Sequence, residues 1–363
     1  MKRRKRVLVA MSGGIDSSLS AALLKQKGFN VIGATMKLLP SPRFGKGNHI
    51  RSSCSLEAIE DARSAAAKID IPHHVFDFHN EFKNEVIDYF CAEYTKGLTP
   101  NPCIMCNRKI KFGLFLKKAK ELDCEYIATG HYAKIGYQKL TGRYFIKEAK
   151  DKQKDQSYFL FFISQKALAK TIFPLENMTK NESRRIAENL RLNVYDRKSS
   201  QEICFIQDHY PDYVERWSAN NFKEGDIIST KGEKIGRHKG IHFYTIGQRK
   251  GLGIAYKEAL YVVEIDRQRN TIIAGTKKDV MKKVIILKRP YWGSINGIDA
   301  PLHVKVKIRY GHKKAKATVE KNKNKKLKVT FAIPQEAPTP GQAAVFYKND
   351  VVVGGGWIEK VLE

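Results

Sequence analysis

Residues 12–18 read SGGIDSS and stand between a short apolar run, 6–11, and a helical pattern from about Asp16 to Lys27 that Gly28 stops. Gly13 and Gly14 let backbone N–H groups approach an anion closely, Ser12, Ser17 and Ser18 add hydroxyl donors, and the helix start adds positive potential. That is chemistry for phosphate. The place agrees, because in a doubly wound sheet the loop after the first strand lies where phosphates bind. The run lacks the Gly-Lys-Ser/Thr ending of a Walker loop and the third glycine of a dinucleotide fingerprint.

A second chemistry is carried by sulfur. Residues 99–112 read TPNPCIMCNRKIKF; Pro100 and Pro102 fix a rigid turn, which sets Cys106 near the start of the following helix. A helix start together with Arg108, Lys109 and Lys111 favours a thiolate, so Cys106 is a candidate nucleophile, with a half-buried structural cysteine as the plainer reading. Cys204, in RKSSQEICFI at 197–206, has basic neighbours upstream and the same two readings. Cys103 and Cys106 have metal-ligand spacing, but no second C-x-x-C completes a zinc tetrad. Cys54, Cys91 and Cys124 fall in or beside helical patterns and read as core or incidental residues.

The chain carries 66 Lys+Arg against 37 Asp+Glu, a net charge of +29, and such a field attracts polyanions, nucleic acid first among them. At 363 residues and 42% hydrophobic it is long enough for two or three folded domains and too apolar for general disorder. The opening MKRRKR is followed by an apolar run too short for a signal peptide, and no stretch reaches membrane-spanning length. Six irregularly spaced cysteines then read as cytosolic thiols, and a cytoplasmic location is expected.

The elements that must position these groups follow two textures. The first half alternates β-rich runs (6–11, 30–36, 75–78, 126–129) with helical stretches (16–27, 56–68, 81–96, 108–122), the mark of a parallel sheet covered on both faces. Thr179 and Glu182 form a capping box for one more helix, ending near Leu190. After about Cys204 the chain turns glycine-rich, with a hairpin pattern at 260–275, and from about Val284 it reads only as strands and turns. The expected architecture is an α/β, doubly wound parallel sheet over 1–205, a small central mostly β domain over 206–283, and a C-terminal β-barrel over 284–363. Within that barrel, alternation sets Lys305, Lys307 and Arg309 on one strand face opposite Val304, Val306 and Ile308, a row of cations suited to an RNA backbone.

The phosphate loop in this setting resembles that of the ATP pyrophosphatases, which cleave ATP between the α and β phosphates and adenylate a carbonyl oxygen. Taken with the blocks GLTPNP at 97–102, CNRKIKF at 106–112, ATGHY at 128–132, KDQSYFL at 154–160, ICFI at 203–206, YTIGQRKGLG at 244–253 and TPGQ at 339–342, the whole chain resembles the tRNA-specific 2-thiouridylases. The resemblance implies an ATP-dependent tRNA uridine 2-sulfurtransferase. Ala10, Met11, Ser12, Gly13, Gly14, Ile15, Asp16 and Ser17 would cradle ATP and its Mg²⁺, with Met36 and Gly130 framing the nucleotide. Asn101, Pro102 and Cys103 would contact the target base. Cys106 would be the nucleophile and Cys204 the persulfide carrier, loaded by an upstream sulfur-donor protein. His131, Lys154, Asp155, Gln156, Arg309, Tyr310 and Gln342 would touch tRNA; neither DNA nor a membrane is implied.

Cys103 stands where some relatives carry Asp. Two readings follow: a neutral substitution, or a third ligand that lets Cys103, Cys106 and Cys204 hold an iron–sulfur cluster with one iron open. Two rival functions use the same residues differently. A small-molecule ligase of the same superfamily would keep the loop and leave the cysteines structural, and a non-catalytic RNA-binding protein would keep only the fold.

Overall fold

The computed structural model describes residues 4–40, 56–192, 203–206, 209–218 and 222–362. Cys54 and residues 197–202 ahead of Cys204, with the basic Arg197 and Lys198 among them, lie outside these. The chain divides into two compact units: residues 1–87, 103–207 and 350–352 form one, residues 88–102, 208–349 and 353–363 the other.

The first unit is built on a parallel sheet. Its strands are β1 (Arg6–Ala10), β2 (Asn30–Lys37), β3 (His73–Asp77), β4 (Tyr126–Ala128) and, after a hairpin of β5 (Lys134–Gln138) and β6 (Arg143–Lys147), β7 (Thr171–Ile172). The order is β3-β2-β1-β4-β7, every neighbour parallel. The chain runs outward from β1 to β3 and then returns to the other side of β1, so the order reverses between β1 and β4; ligands of such sheets bind in that crevice. The apolar run of β1 is explained by cover on both faces: Val7, Leu8 and Val9 have no exposed surface.

Helix α1 (Ile15–Gln26) packs Ala21 and Leu24 with Val7 and Val9 of β1, and Leu19 and Ala22 with Ala187 and Leu192. Its buried serines are satisfied within the helix: the hydroxyls of Ser17 and Ser18 donate to the Gly14 carbonyl at 2.9 and 3.1 Å, and Ser20 to Asp16 at 2.7 Å. Helix α2 (Leu56–Lys68) buries Ile59, Ala62 and Ala66, the face its periodicity set, together with Ala58 and Ala65. The helix Lys180–Asn189 opens on the expected capping box: Thr179 N–H donates to Glu182 Oε2 at 2.7 Å while Glu182 N–H donates to Thr179 Oγ1 at 3.3 Å.

One helical run departs from expectation. It starts at Pro102, not near Arg108, as an α-turn Pro102–Met105, widens into a π-helix over Cys106–Leu114, and returns to α over Phe115–Glu121. Proline belongs at the first helical position, where its missing N–H is no loss, so Pro102 opens the helix as well as ending the turn. Cys103 therefore sits in the first turn and Cys106 a turn further in.

In the second unit, β8 (Gly225–Ser229), β9 (Lys234–His238), β10 (Tyr261–Asp266) and β11 (Thr271–Gly275) form a sheet ordered β10-β11-β8-β9. The hairpin read at 260–275 is β10–β11; β11 and β8 run parallel. The barrel strands are β12 (Met281–Trp292), β13 (Leu302–Lys307), β14 (Ala315–Asn322), β15 (Lys326–Glu336), β16 (Ala343–Lys348) and β17 (Val351–Leu362). β12 pairs with both β15 and β17, which closes the ring and leaves no open edge. Its interior is filled by Ile285, Leu287, Val306, Val329, Phe331, Phe346 and Ile358, all fully buried.

Candidate active site

The crevice at the strand-order reversal is a cleft of about 230 Å³. The chain leaving β1 supplies Ala10, Met11, Ser12, Asp16 and Ser17; the end of β2 supplies Thr35 and Met36; the chain leaving β4 supplies Thr129, Gly130 and His131; Lys111 and Gln156 complete it. Of the residues that the resemblance sets around a nucleotide, Ala10, Met11, Ser12, Asp16, Ser17, Met36 and Gly130 line this cavity, and Gly13, Gly14 and Ile15 do not. Gly14, rather than a serine, caps α1, and no side chain occupies the cap position, which leaves the helix start open to an anion. Ser12 N–H donates to Ser17 Oγ at 3.1 Å, so the loop is braced from within.

Two glycines have no alternative. Gly13 has φ +72°, and a β-carbon there would lie 2.5 Å from the Ala58 carbonyl oxygen. At Gly130 it would lie 2.8 Å from the backbone of Asp16. The second contact shows that the phosphate loop and the turn after β4 are packed backbone to backbone.

Asp16 has partners that no local pattern announces. Lys180 Nζ donates to both of its carboxylate oxygens at 2.9 Å, and the Tyr132 hydroxyl donates to Oδ1 at 2.7 Å. Lys180 is the first residue of the capping-box helix, so the one helix start with a full sequence signature delivers a cation to the loop. The carboxylate in turn pushes the Tyr132 hydroxyl above its ordinary range, behind the larger effect of its burial.

Of the three basic residues expected to favour a thiolate, only Lys111 lines the cleft. Arg108 lies over the Phe162 ring at 3.4 Å, and Lys109 pairs with Glu85 at 2.9 Å. Asn107 Nδ2 donates to the Phe159 carbonyl at 3.3 Å. The block at 106–112 is therefore packed on the block at 154–160, which sequence alone could not relate. Cys106 is buried and Cys204 half-buried. Cys103 has exposed surface but dense protein around it, and this desolvation raises its thiol, with Lys111 pulling in the opposite sense.

His131 is buried at the cleft with Nδ1 2.7 Å from Thr129 Oγ1 and with Phe112 and Phe173 against its ring. Burial, then Lys111, holds its pKa well below the ordinary value, so the ring is neutral at physiological pH. Asp155 is also buried: it accepts from Ala149 N–H at 2.9 Å and Ser157 Oγ at 2.7 Å, and burial raises its carboxyl despite these bonds. Its carboxylate organises the loop; Lys154 beside it is half-exposed. Gln156 exchanges hydrogen bonds with the Tyr132 backbone, 3.0 Å to its Oε1 and 2.9 Å from its own N–H.

Asn101, Pro102, Arg309, Tyr310 and Gln342 belong to the second unit. Gln342 Nε2 donates to the carbonyls of Thr99 and Pro100 at 3.0 and 3.3 Å, and Thr99 N–H donates to the Pro340 carbonyl at 3.0 Å. The blocks at 97–102 and 339–342 are thereby one structural feature. Arg309 Nη1 donates to the Glu336 carbonyl at 2.9 Å, and Lys307 Nζ lies 5.9 Å from the centre of the Tyr310 ring. Strand β13 stops at Lys307, but the alternation read in sequence holds to Arg309: Val304, Val306 and Ile308 are buried, Lys305 and Arg309 exposed.

Among the described residues no three His, Cys, Asp or Glu side chains converge as metal ligands, although Cys103, Cys106 and Cys204 are all described. The three thiols do not form a ligand set for an iron–sulfur cluster in this structure. No described helix is long and apolar enough to cross a membrane.

An α/β unit with a crevice at its strand-order reversal, a small β domain and a closed barrel define a multidomain protein of the nucleotide-binding HUP class. Family profiles match in the same order: a tRNA methyl transferase HUP domain over residues 5–208, a tRNA methyl transferase PRC-barrel domain over 212–276, and an aminomethyltransferase beta-barrel domain over 282–358. The tRNA-specific 2-thiouridylase MnmA of Clostridioides difficile is 46% identical over 363 residues, covering 100% of both chains. That of Caldicellulosiruptor saccharolyticus is 46% identical over 360 residues, 99% of each. An NMN synthetase structure from Francisella tularensis is similar at 16% identity and a TM-score of 0.33, over 55% of this chain and 67% of that one. The chain belongs to the tRNA-specific 2-thiouridylase family.

Proposed function

We propose that this protein is a tRNA uridine 2-sulfurtransferase that uses ATP to activate the wobble uridine and installs sulfur at its 2-position, acting in the cytoplasm. The observation that carries the reading is the single cleft in which the SGGIDSS loop meets Gly130, His131 and Lys111, with Lys111 on the same π-helix as Cys106.

The uracil 2-carbonyl is a weak electrophile because its oxygen leaves poorly. Attack of that oxygen on the α-phosphorus of ATP breaks the α–β phosphate link and expels pyrophosphate. Ser12, Ser17 and the open N–H groups at the start of α1 would hold the departing phosphates. Mg²⁺ would enter with the nucleotide, and among the described residues lining the cleft Asp16 is the carboxylate that would hold it. The terminal sulfur of a persulfide on Cys204 then adds to C2. Cys106 thiolate attacks the inner sulfur, the S–S bond breaks, and AMP departs with the former 2-oxygen. Sulfur ends reduced in the 2-thiouridine and the two cysteines end oxidised as a disulfide, which a dithiol reductant reopens. An upstream persulfide protein reloads Cys204. Asn101, Pro102 and Cys103 would bracket the base, and Lys154, Gln156, Arg309 and Tyr310 would contact tRNA.

The test is nucleoside mass spectrometry of tRNA incubated with protein, ATP and a persulfide donor. 2-Thiouridine and AMP in equal amounts are expected; ADP in place of AMP would overturn the adenylation step.

A further inference from the structure

The outer face of the barrel carries a groove of about 600 Å³ that crosses the strands instead of following one. Register sets Lys305 on β13 directly opposite Lys316 on β14, and His303 opposite Thr318, which faces Thr330 on β15. Lys348, at the end of β16, lines the same groove. So does Lys283 on β12, which falls at the register shift between Lys282 and Val284. All four lysines are exposed, and none has a carboxylate partner among the described residues. Nearby lysines on the β14–β15 turn differ: Lys321 pairs with Asp299 at 3.0 Å and Lys326 with Glu359 at 2.7 Å.

Like charges directly opposite one another weaken an antiparallel pair, so the Lys305–Lys316 register does nothing for the barrel by itself. A polyanion lying across the strands would turn this repulsion into binding. The groove also offers nothing on which unstacked bases could stack. Its large rings, Phe331 and Tyr347, are fully buried, and His303, the exposed ring, is tied to Thr318 Oγ1 at 3.1 Å. Single strands are held by stacking platforms, whereas helical RNA is held through phosphates and 2′-hydroxyls by shape. Lysines and threonine hydroxyls on a sheet face match the second case.

We propose that this groove seats the sugar–phosphate backbone of a double-helical RNA stem and reads no bases. The proposal rests on the reading of the chain as a tRNA-modifying enzyme and extends it to a stem-binding surface on the barrel. Changing Lys283, Lys305, Lys316 and Lys348 together to Gln should shrink the slope of log affinity against log salt for a blunt RNA duplex by roughly three to four, at about 0.9 per phosphate contact. The same four changed to Arg should restore it. A charge-matched control, Lys321, Lys323, Lys325 and Lys328 to Gln, should move the slope by less than about one. Equal slope losses in the two Gln variants, or an equal loss for a single-stranded oligouridine of matched length, would overturn the proposal. Failure of the wild-type protein to thiolate tRNA would instead strike the underlying reading and leave duplex binding to be judged by its own slope.

Discussion

Lys180 closes a two-pronged ion pair on Asp16 across 164 residues of chain, with both Nζ–O distances at 2.9 Å. The carboxylate of the SGGIDSS loop is thus held by a cation from a different helix and by the Tyr132 hydroxyl. A preorganised charge of this kind needs no rearrangement at the moment of reaction.

Asp16→Ala and Lys180→Met should each lower tRNA-dependent release of AMP and pyrophosphate, the first by at least about a hundredfold, the scale of losing one preorganised charge-stabilising group. The double variant should be scarcely worse than the worse single one, because the two residues act as a pair. Lys180→Arg should recover part of the loss. Steady-state rates across an ATP series would check this; additive losses would show that the pair is not a unit.

Cys106→Ser and Cys204→Ser should each abolish thiolation while leaving tRNA binding intact, since a hydroxyl neither carries nor resolves a persulfide. Cys103→Asp should stay active on the two-thiol mechanism proposed above, in which Cys103 carries no sulfur. Liquid chromatography of digested tRNA reads the first outcome and filter binding the second. An inactive Cys103→Asp protein, or iron in the active enzyme, would return the three-thiol reading to consideration.

His131 should make the first unit less stable in mild acid. Its folded pKa is depressed, so below the unfolded value near 6.5 the unfolded chain binds a proton that the folded chain refuses. Stability is full above about 6.5 and falls as pH drops, by at most about 1.4 kcal/mol per pH unit for one such group. Urea unfolding between pH 7.5 and 5 should show this slope, and His131→Asn should reduce it, leaving the share of His73, whose pKa burial lowers to about 4.

Gly341 has φ +94°, and a β-carbon there would meet the Thr99 backbone at 2.9 Å. Gly341→Ala should therefore destabilise the protein by roughly 1–3 kcal/mol, the scale of backbone strain at one residue. Gln342→Ala, which removes the bonds to Thr99 and Pro100, should cost about 0.5–1.5 kcal/mol per bond. Thermal unfolding reads both, and thiolation should fall in both if Asn101 must be held against the base.

What was legible in the sequence was local. The strand–loop–helix at 6–26, the Thr179–Glu182 box and the alternation through Val304, Val306 and Ile308 each depend on neighbours within a few residues. What escaped depends on distant partners. Lys180 looks like any lysine in a first helical turn, and only the fold brings it to Asp16. Alternation sets Lys305 in a row with Lys307 and Arg309, but its cross-strand partner is Lys316, while Arg309 is engaged with the Glu336 carbonyl. The paired prolines spell a turn in sequence, and only the fold shows that the helix begins on the second of them.

The widened coil from Cys106 to Leu114 also governs how this stretch tolerates change in length. A π-helical segment closes its hydrogen bonds five residues back instead of four, so it houses one residue more than an α-helix spanning the same rise. Removing any one residue there would let the run close as ordinary α-helix across the same span, so that side chains inside the segment change face while the flanking turns stay in place. Lys111 would leave the cleft, and Phe112 would lose its seat against His131. Single-residue deletions between 106 and 114 should therefore be far more damaging than conservative substitutions at the same sites. Aligned relatives that share this cleft should carry their gaps elsewhere.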